Sequence, residues 1–272
     1  MFLLARAQAR AGNTGDPLPT VWRTLEAASV RFRRGQMALV AAGPGVGKSV
    51  FALTAALRSG ASGLYFSADS DESTMYSRAC SMLSGHEVAD VQSRMEAGEA
   101  AVYADYLERC KRLRFSFDPA PTLEAIERSV KAYAYVYGRW PEFICLDNLA
   151  DCTTDEDGFH GLEVTLDFLH GVKRATGAFV LVLHHLTGEY ENGDAAPPLG
   201  ALRGKVSKKP EIVLGLYRPS DGRLGVAITK NRTGRANAAG RLTVELDMDL
   251  SRMSITDPQP MDLGKGNLWT TT

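Results

Sequence analysis

The chain has 272 residues, 44% of them hydrophobic and 23% charged, with a formal net charge of −1. That is enough for one large domain, or a domain with a small appendage, and it excludes a surface that attracts nucleic acid everywhere; any such contact must come from a local basic cluster. No apolar run approaches the roughly 20 residues of a membrane helix, and "MFLLARAQAR" is too short for a signal-peptide core, so a cytosolic protein without a membrane partner is expected.

Taken in order, the chain alternates strand and helix. Gly35–Ala42 is a short apolar run, and Lys48–Gly60 has helical apolar spacing with a glycine stop. Gly63–Ser67 reads as a second buried strand and Asp71–Gly85 as a helix. A more polar helical stretch runs to about Arg112, followed by a strand at Leu113–Phe117 and a turn in which Thr122 caps the helix Leu123–Tyr137. Glu142–Ala150 is the next strand, Leu162–Thr176 the next helix, with Gly177 just past its end. An unbroken apolar strand, Ala178–Leu186, leads into a polar stretch rich in Gly and Pro from Thr187 to Pro210. Three strand-like runs close the pattern: Ile212–Tyr217, Leu224–Thr229 and Leu242–Leu246.

Near-continuous apolar strands separated by helices imply an α/β fold, a doubly wound and mainly parallel sheet covered on both faces. The later runs, joined by short turns such as Pro219–Arg223, predict antiparallel C-terminal edge strands. The expected organisation is an N-terminal segment (1–20), one ATPase domain (21–257) and a loosely held tail (258–272). Four cysteines, Cys80, Cys110, Cys145 and Cys152, lack metal-ligand spacing, and Cys145 lies inside a strand as a small core residue.

The stretch "AGPGVGKS" (Ala42–Ser49) stands between the first strand and the first helix. It matches a phosphate-binding loop with alanine in place of the first glycine. Gly43, Pro44, Gly45, Val46, Gly47, Lys48, Ser49 and Val50 are therefore the expected ATP contacts. The glycines let backbone N–H groups turn toward phosphate, and the helix N-terminus adds its dipole. Lys48 would reach the β- and γ-phosphates, and the Ser49 hydroxyl would ligate Mg2+. Asp147 lies where the apolar run Phe143–Leu146 surfaces, and is the expected second holder of the metal, through its water. For the acid that polarises the attacking water, Asp69, Asp71 and Glu72 are candidates. Asp69 is favoured as nearest the carboxyl edge of the sheet; the other two start a helix, where acids often only answer its dipole. Asp151, Asp155, Glu156 and Asp157 read as a solvated acidic turn rather than a metal site.

The segments "AAGPGVGKSVFAL", "LYFSADSDEST", "FICLDNL", "LVLHHL" and "ITKNRTG" occur in an order that resembles RecA-like ATPases of the DnaB replicative-helicase branch, most closely short, single-domain, phage- or plasmid-type members. The resemblance covers roughly Gly35 to Leu246. It implies a RecA-like fold, a hexameric ring or helical filament, ATP held between subunits and single-stranded DNA in the channel. Asp69 then stands where the family has a glutamate, one methylene shorter, and His185 stands where a glutamine senses the γ-phosphate. A neutral imidazole donates one hydrogen bond, as an amide does; His184 would face the other side of the strand.

Lys230 and Arg232 are spaced so that both share one face if their strand continues. Composition alone reads them as a solvated strand end; the resemblance makes them cations for a neighbouring subunit's γ-phosphate. The loop Thr187–Pro210 carries Arg203, Lys205, Lys208 and Lys209 with no acid between them, and is the expected contact to the single-strand backbone, without base readout. Its lone aromatic is Tyr190, so little stacking is expected. Phe2, Leu3 and Leu4 could line one side of a short helix, which hexameric relatives dock on the adjacent subunit. The expected function is an ATP-dependent motor on single-stranded DNA, a helicase in phage replication or recombination. A RecA-like recombinase or annealing ATPase, and a regulatory ATPase that assembles on protein partners, are the alternatives.

Overall fold

The computed structural model describes residues 15–154, 158–204 and 206–259. The N-terminal Phe2, Leu3 and Leu4, the acids at 155–157, Lys205 and the tail from residue 260 lie outside the described residues.

Nine strands form one sheet in the order β3-β2-β4-β5-β1-β6-β7-β8-β9. They are β1 (Met37–Ala42), β2 (Gly63–Ser67), β3 (Leu113–Ser116), β4 (Phe143–Asp147), β5 (Phe179–His185), β6 (Ile212–Tyr217), β7 (Arg223–Asn231), β8 (Thr243–Asp249) and β9 (Ser254–Thr256). Strands β1 to β6 pair in parallel. From β6 onward the pairing is antiparallel. The first of the three late runs therefore completes the parallel part, beside β1, and the antiparallel edge starts one strand later than its position suggested. It also gains β9, three residues too short to stand out in a hydrophobicity pattern.

Strand β1 is buried at every position because it is central and covered on both faces. Its side chains alternate: Ala38, Val40 and Ala42 enter one core, Met37, Leu39 and Ala41 the other. The first core is roofed by α1 (Arg23–Ala27), α2 (Lys48–Arg58) and α3 (Glu72–Ser84). Helix α2 is sandwiched, with the sheet on one side and the N-terminal segment on the other. There Trp22 stacks on Phe51 at 4.4 Å between ring centroids and its indole N–H donates to the Ile255 carbonyl at 3.0 Å. The polar helical stretch before Arg112 breaks into α4 (Val88–Glu96), a 3-10 turn and α5 (Ala104–Glu108), held by a small cluster of Cys80, Val91 and Tyr103.

The second core is covered by α6 (Leu123–Tyr137) and α7 (Gly158–Thr176). The Thr122 hydroxyl caps α6 by accepting the Ala125 N–H at 3.2 Å. Helix α7 begins four residues before the expected Leu162, with Gly158 its first residue. None of the described helices is long and apolar enough to cross a membrane.

Candidate functional site

The site gathers at the carboxyl ends of β1, β2, β4 and β5, where open α/β sheets take their ligands. After Ala42 the chain turns through residues 43–47 and enters α2 at Lys48. Gly47 sits at φ +116°, a conformation that side chains with a Cβ resist, so the turn into the helix depends on it. Gly43, Pro44, Gly45, Gly47, Lys48, Ser49 and Val50 line a cleft of about 410 Å³. The Val46 side chain does not: it is buried, facing away against Gly193.

The back of this loop is held by the chain leaving β5 and β6. The Glu191 carbonyl lies so close to Gly43 that a Cβ there would fall 1.9 Å from it. Arg218 donates through Nη2 to the Gly45 carbonyl at 2.8 Å and through Nε to the Val46 carbonyl at 3.4 Å. A carbonyl held outward turns the N–H of the same planar peptide the other way; the Gly47 N–H is thereby directed to the cleft side.

Lys48 is buried, and desolvation lowers its pKa; Asp147, Asp69 and Asp151, in that order, oppose the shift. Asp147, the last residue of β4, is 2% exposed. Burial raises its pKa, and hydrogen bonds from Ser49 and Tyr65 together with the Lys48 charge pull it back. Its Oδ2 accepts from the Tyr65 hydroxyl at 3.0 Å, while its Oδ1 is buried with no partner among the described residues. An orphaned carboxylate oxygen next to a serine hydroxyl is a hard oxygen donor set, and it fits Mg2+ and its water shell.

Asp69 stands exposed two residues past the end of β2, on the wall of the cleft. Asp71 instead caps α3, accepting the Thr74 N–H at 2.7 Å. His185 pairs in register with Ala42, which puts it beside the start of the phosphate loop. Burial and then the Lys48 charge lower its pKa, against Asp151 and Asp69, so the ring is neutral near pH 7. His184 faces the other way and is fully buried; its Nε2 meets the Arg203 carbonyl at 2.6 Å, and burial pushes its pKa down to about 4.

Several members of the site carry no strong sequence signal. Arg78 of α3 reaches into the cleft and donates to the Ser70 hydroxyl at 3.0 Å. Its position beside buried Ser77 and Ala79 was the available hint. Asp151, read from sequence as part of a solvated turn, is half-buried and faces Lys48, Asp69 and His185; a 3-10 turn at Leu149–Asp151 folds it back, and Asn148 donates to it at 2.6 Å. Leu250 and Met253, from the turn between β8 and β9, form the apolar end of the cleft.

Lys230 and Arg232 do not join this cleft, since β7 lies beyond β6 from β1. Strand β7 ends at Asn231, yet both cations turn to one loop. Lys230 Nζ donates to the Ser207 carbonyl at 2.6 Å and the Lys208 carbonyl at 3.3 Å, and Arg232 Nη2 donates to the Lys208 carbonyl at 3.3 Å. Lys208 and Lys209 are answered by acids of α7, Glu163 at 3.3 Å and Asp167 at 2.6 Å. Arg203 is exposed and stands apart from these pairs.

Residues 25–189 match the AAA domain family AAA_25. The Gene 65 protein of Mycobacterium phage L5 is 42% identical over 256 residues, covering 90% of this chain and 95% of that protein. The Gene 65 protein of Mycobacterium phage D29 is 41% identical over 231 residues, covering 81% and 99%. Among solved structures, an ATPase domain determined on its own superposes with a TM-score of 0.79 at 16% identity, covering 94% of this chain and 96% of that one. A DnaB-like replicative helicase described with its primase interactions gives 0.77 at 16%, covering 94% of this chain and 65% of its own. The RadB recombinase gives 0.60 at 15%, covering 89% and 100%. The phosphate loop, the RecA-like fold shared with DnaB-type ATPase domains and the full-length phage relatives agree: the chain belongs to the AAA domain family AAA_25 and, within it, to the Gene 65 proteins of mycobacteriophages, as a short phage-type P-loop ATPase.

Proposed function

We propose that the protein is an ATP-driven motor on single-stranded DNA, a DnaB-like hexameric helicase that serves phage replication or recombination in the host cytoplasm. One observation carries the reading: the cleft holds Lys48, Ser49, Asp147 and His185, while Lys230 and Arg232 stand outside it, two strands away from β1. A ring or helical filament brings such a pair to the next subunit's site. The likeness to the isolated ATPase domain and to a DnaB-like replicative helicase supports this assembly.

In this reading residues 21–257 form the ATPase and residues 1–20 dock on the adjacent subunit. The phosphates of ATP lie along residues 43–50, with Lys48 on the β- and γ-oxygens. Mg2+, held by Ser49 and through water by Asp147, supplies charge neutralisation between those oxygens. Asp69 orients and deprotonates the attacking water. Neutral His185 donates a hydrogen bond to the γ-phosphate. Leu250 and Met253 offer the base an apolar surface. Arg232 and Lys230 of the neighbour add positive charge in the transition state, an effect worth on the order of 10³ to 10⁵ in rate. Arg203, Lys205, Lys208 and Lys209 face the DNA backbone.

The test is ATP hydrolysis with and without single-stranded DNA, followed by mixing Lys48→Ala and Arg232→Ala proteins. Stimulation by DNA and partial recovery in co-assembled mixtures are expected. Hydrolysis indifferent to DNA selects a regulatory ATPase on protein partners; no recovery in mixtures proven to co-assemble removes the cross-subunit role. The fold shared with the RadB recombinase and the short reach of Asp69 support a slower, switching enzyme as second reading, and strand pairing without unwinding would select it.

A further inference from the structure

A second cleft, of about 550 Å³, opens on the opposite face of β5. It falls within the roughly 300–1,000 Å³ of sites that take small organic groups. Three separate parts of the chain build it: Thr153 and Thr154 after β4, Phe159 in the first turn of α7, and His184 with Arg203 around the end of β5. Phe159 is 62% exposed although its ring lies against the Gly204 backbone, where an added Cβ would come within 2.8 Å of Cδ1. The ring is thus backed on one side by main chain and open on the other. Arg203, exposed, brings a guanidinium to the same walls. His184 is fully buried, and its Nδ1 has no hydrogen-bond partner among the described residues.

An open aromatic face, a cation and an unpaired ring nitrogen match one ligand class: a nucleotide of a single strand, with its base on the ring and its phosphate at the arginine. Aromatic rings bind bases of any sequence this way because every base has a π-face. The sequence of the loop around Arg203 suggested backbone contacts alone, since its aromatic, Tyr190, packs against the core. The fold supplies a different aromatic from α7.

We propose that Phe159 and Arg203 form a base-stacking subsite for single-stranded DNA; this rests on the reading of the protein as a motor on that substrate. Phe159 takes the base, Arg203 the adjoining phosphate, and the affinity of the strand includes a part that depends on bases being present.

The test uses the full chain with Mg2+ and a non-hydrolysable ATP analogue. Fluorescence anisotropy measures binding to labelled oligothymidylate and to an abasic deoxyribose-phosphate strand of equal length, across a salt series. Wild type is expected to hold the thymidylate more tightly. Phe159→Ala and Phe159→Leu lose on the order of tenfold on thymidylate and nothing on the abasic strand. Arg203→Ala weakens both and flattens the salt slope by about 0.7. Phe159→Leu keeps apolar packing on Gly204, so it separates stacking from folding. Equal loss on both strands, or full thymidylate affinity in Phe159→Leu, overturns the subsite while leaving the motor reading intact. Failure of the wild type to bind either strand removes both.

Discussion

Glu211 ties three elements together, and its removal is a demanding test of the packing described above. Its N–H donates to the Met37 carbonyl at 2.9 Å, its Oε2 accepts the Met37 N–H at 2.7 Å, and its carbonyl accepts the Arg232 N–H at 3.0 Å. Its other carboxylate oxygen pairs with Lys173 of α7, whose side chain is 3% exposed. Glu211→Ala leaves that ammonium buried and unanswered, which costs about 3–5 kcal/mol. The orphaned Met37 N–H adds to this within the same range. At about 2–4 °C per kcal/mol for a chain of this size, the melting temperature falls by about 10 °C. Replacing the pair with apolar side chains, as Lys173→Met with Glu211→Leu, removes the buried charge; only the unpaired Met37 N–H remains, so most of the loss returns. Urea denaturation without nucleotide measures both, since bound ligand would mask the difference. A loss below about 1 kcal/mol in Glu211→Ala, or a double variant no better than the single one, refutes the assignment of this pair as a buried, mutually dependent unit.

Asp147→Asn keeps the shape of β4 but weakens the hold on Mg2+; hydrolysis should fall by at least about a hundredfold, with no loss of stability in the absence of nucleotide, as read by steady-state turnover beside thermal unfolding. His184 makes stability depend on pH. Its folded pKa of about 4 lies below the ordinary 6.5, so unfolded chains take up the proton first, and stability present above pH 6.5 drains away as pH falls toward 4. The amount is about 3 kcal/mol, and His184→Gln should abolish that part of the slope in urea titrations. Gly43→Ala drives a methyl into the Glu191 carbonyl and must shift the phosphate loop or the turn above it. At about 1–3 kcal/mol of overpacking, the affinity for a fluorescent ATP analogue drops by roughly fivefold to a hundredfold.

Much of the nucleotide site is local in sequence, and that made it legible. A strand, a glycine turn, a lysine and a helix are contiguous from Met37 to Arg58, so their geometry follows from short-range rules. Asp147 was readable for the same reason, as a charge at the end of an apolar run. Arg78, Asp151 and Arg218 were not, because each reaches the site from an element whose direction only the packed sheet decides. Strand β9 escaped because three residues carry no period; its burial comes from Trp22, more than two hundred residues away. The basic loop was legible as a loop, but sequence could not tell that Glu163 and Asp167 of α7 answer Lys208 and Lys209. Arg203 and Lys208 look alike along the chain and differ in what faces them.

The Lys208 carbonyl accepts from both Lys230 and Arg232. Neither cation can swing toward a foreign anion without dropping the same oxygen, and when both depart, that oxygen loses both of these side-chain donors in one event. The loop then has to resolvate just as the fingers engage. Release of the strand held by the loop and grip on the adjoining subunit's fuel are therefore counted on a single atom, which makes their timing a property of main chain rather than of any side chain that selection could swap.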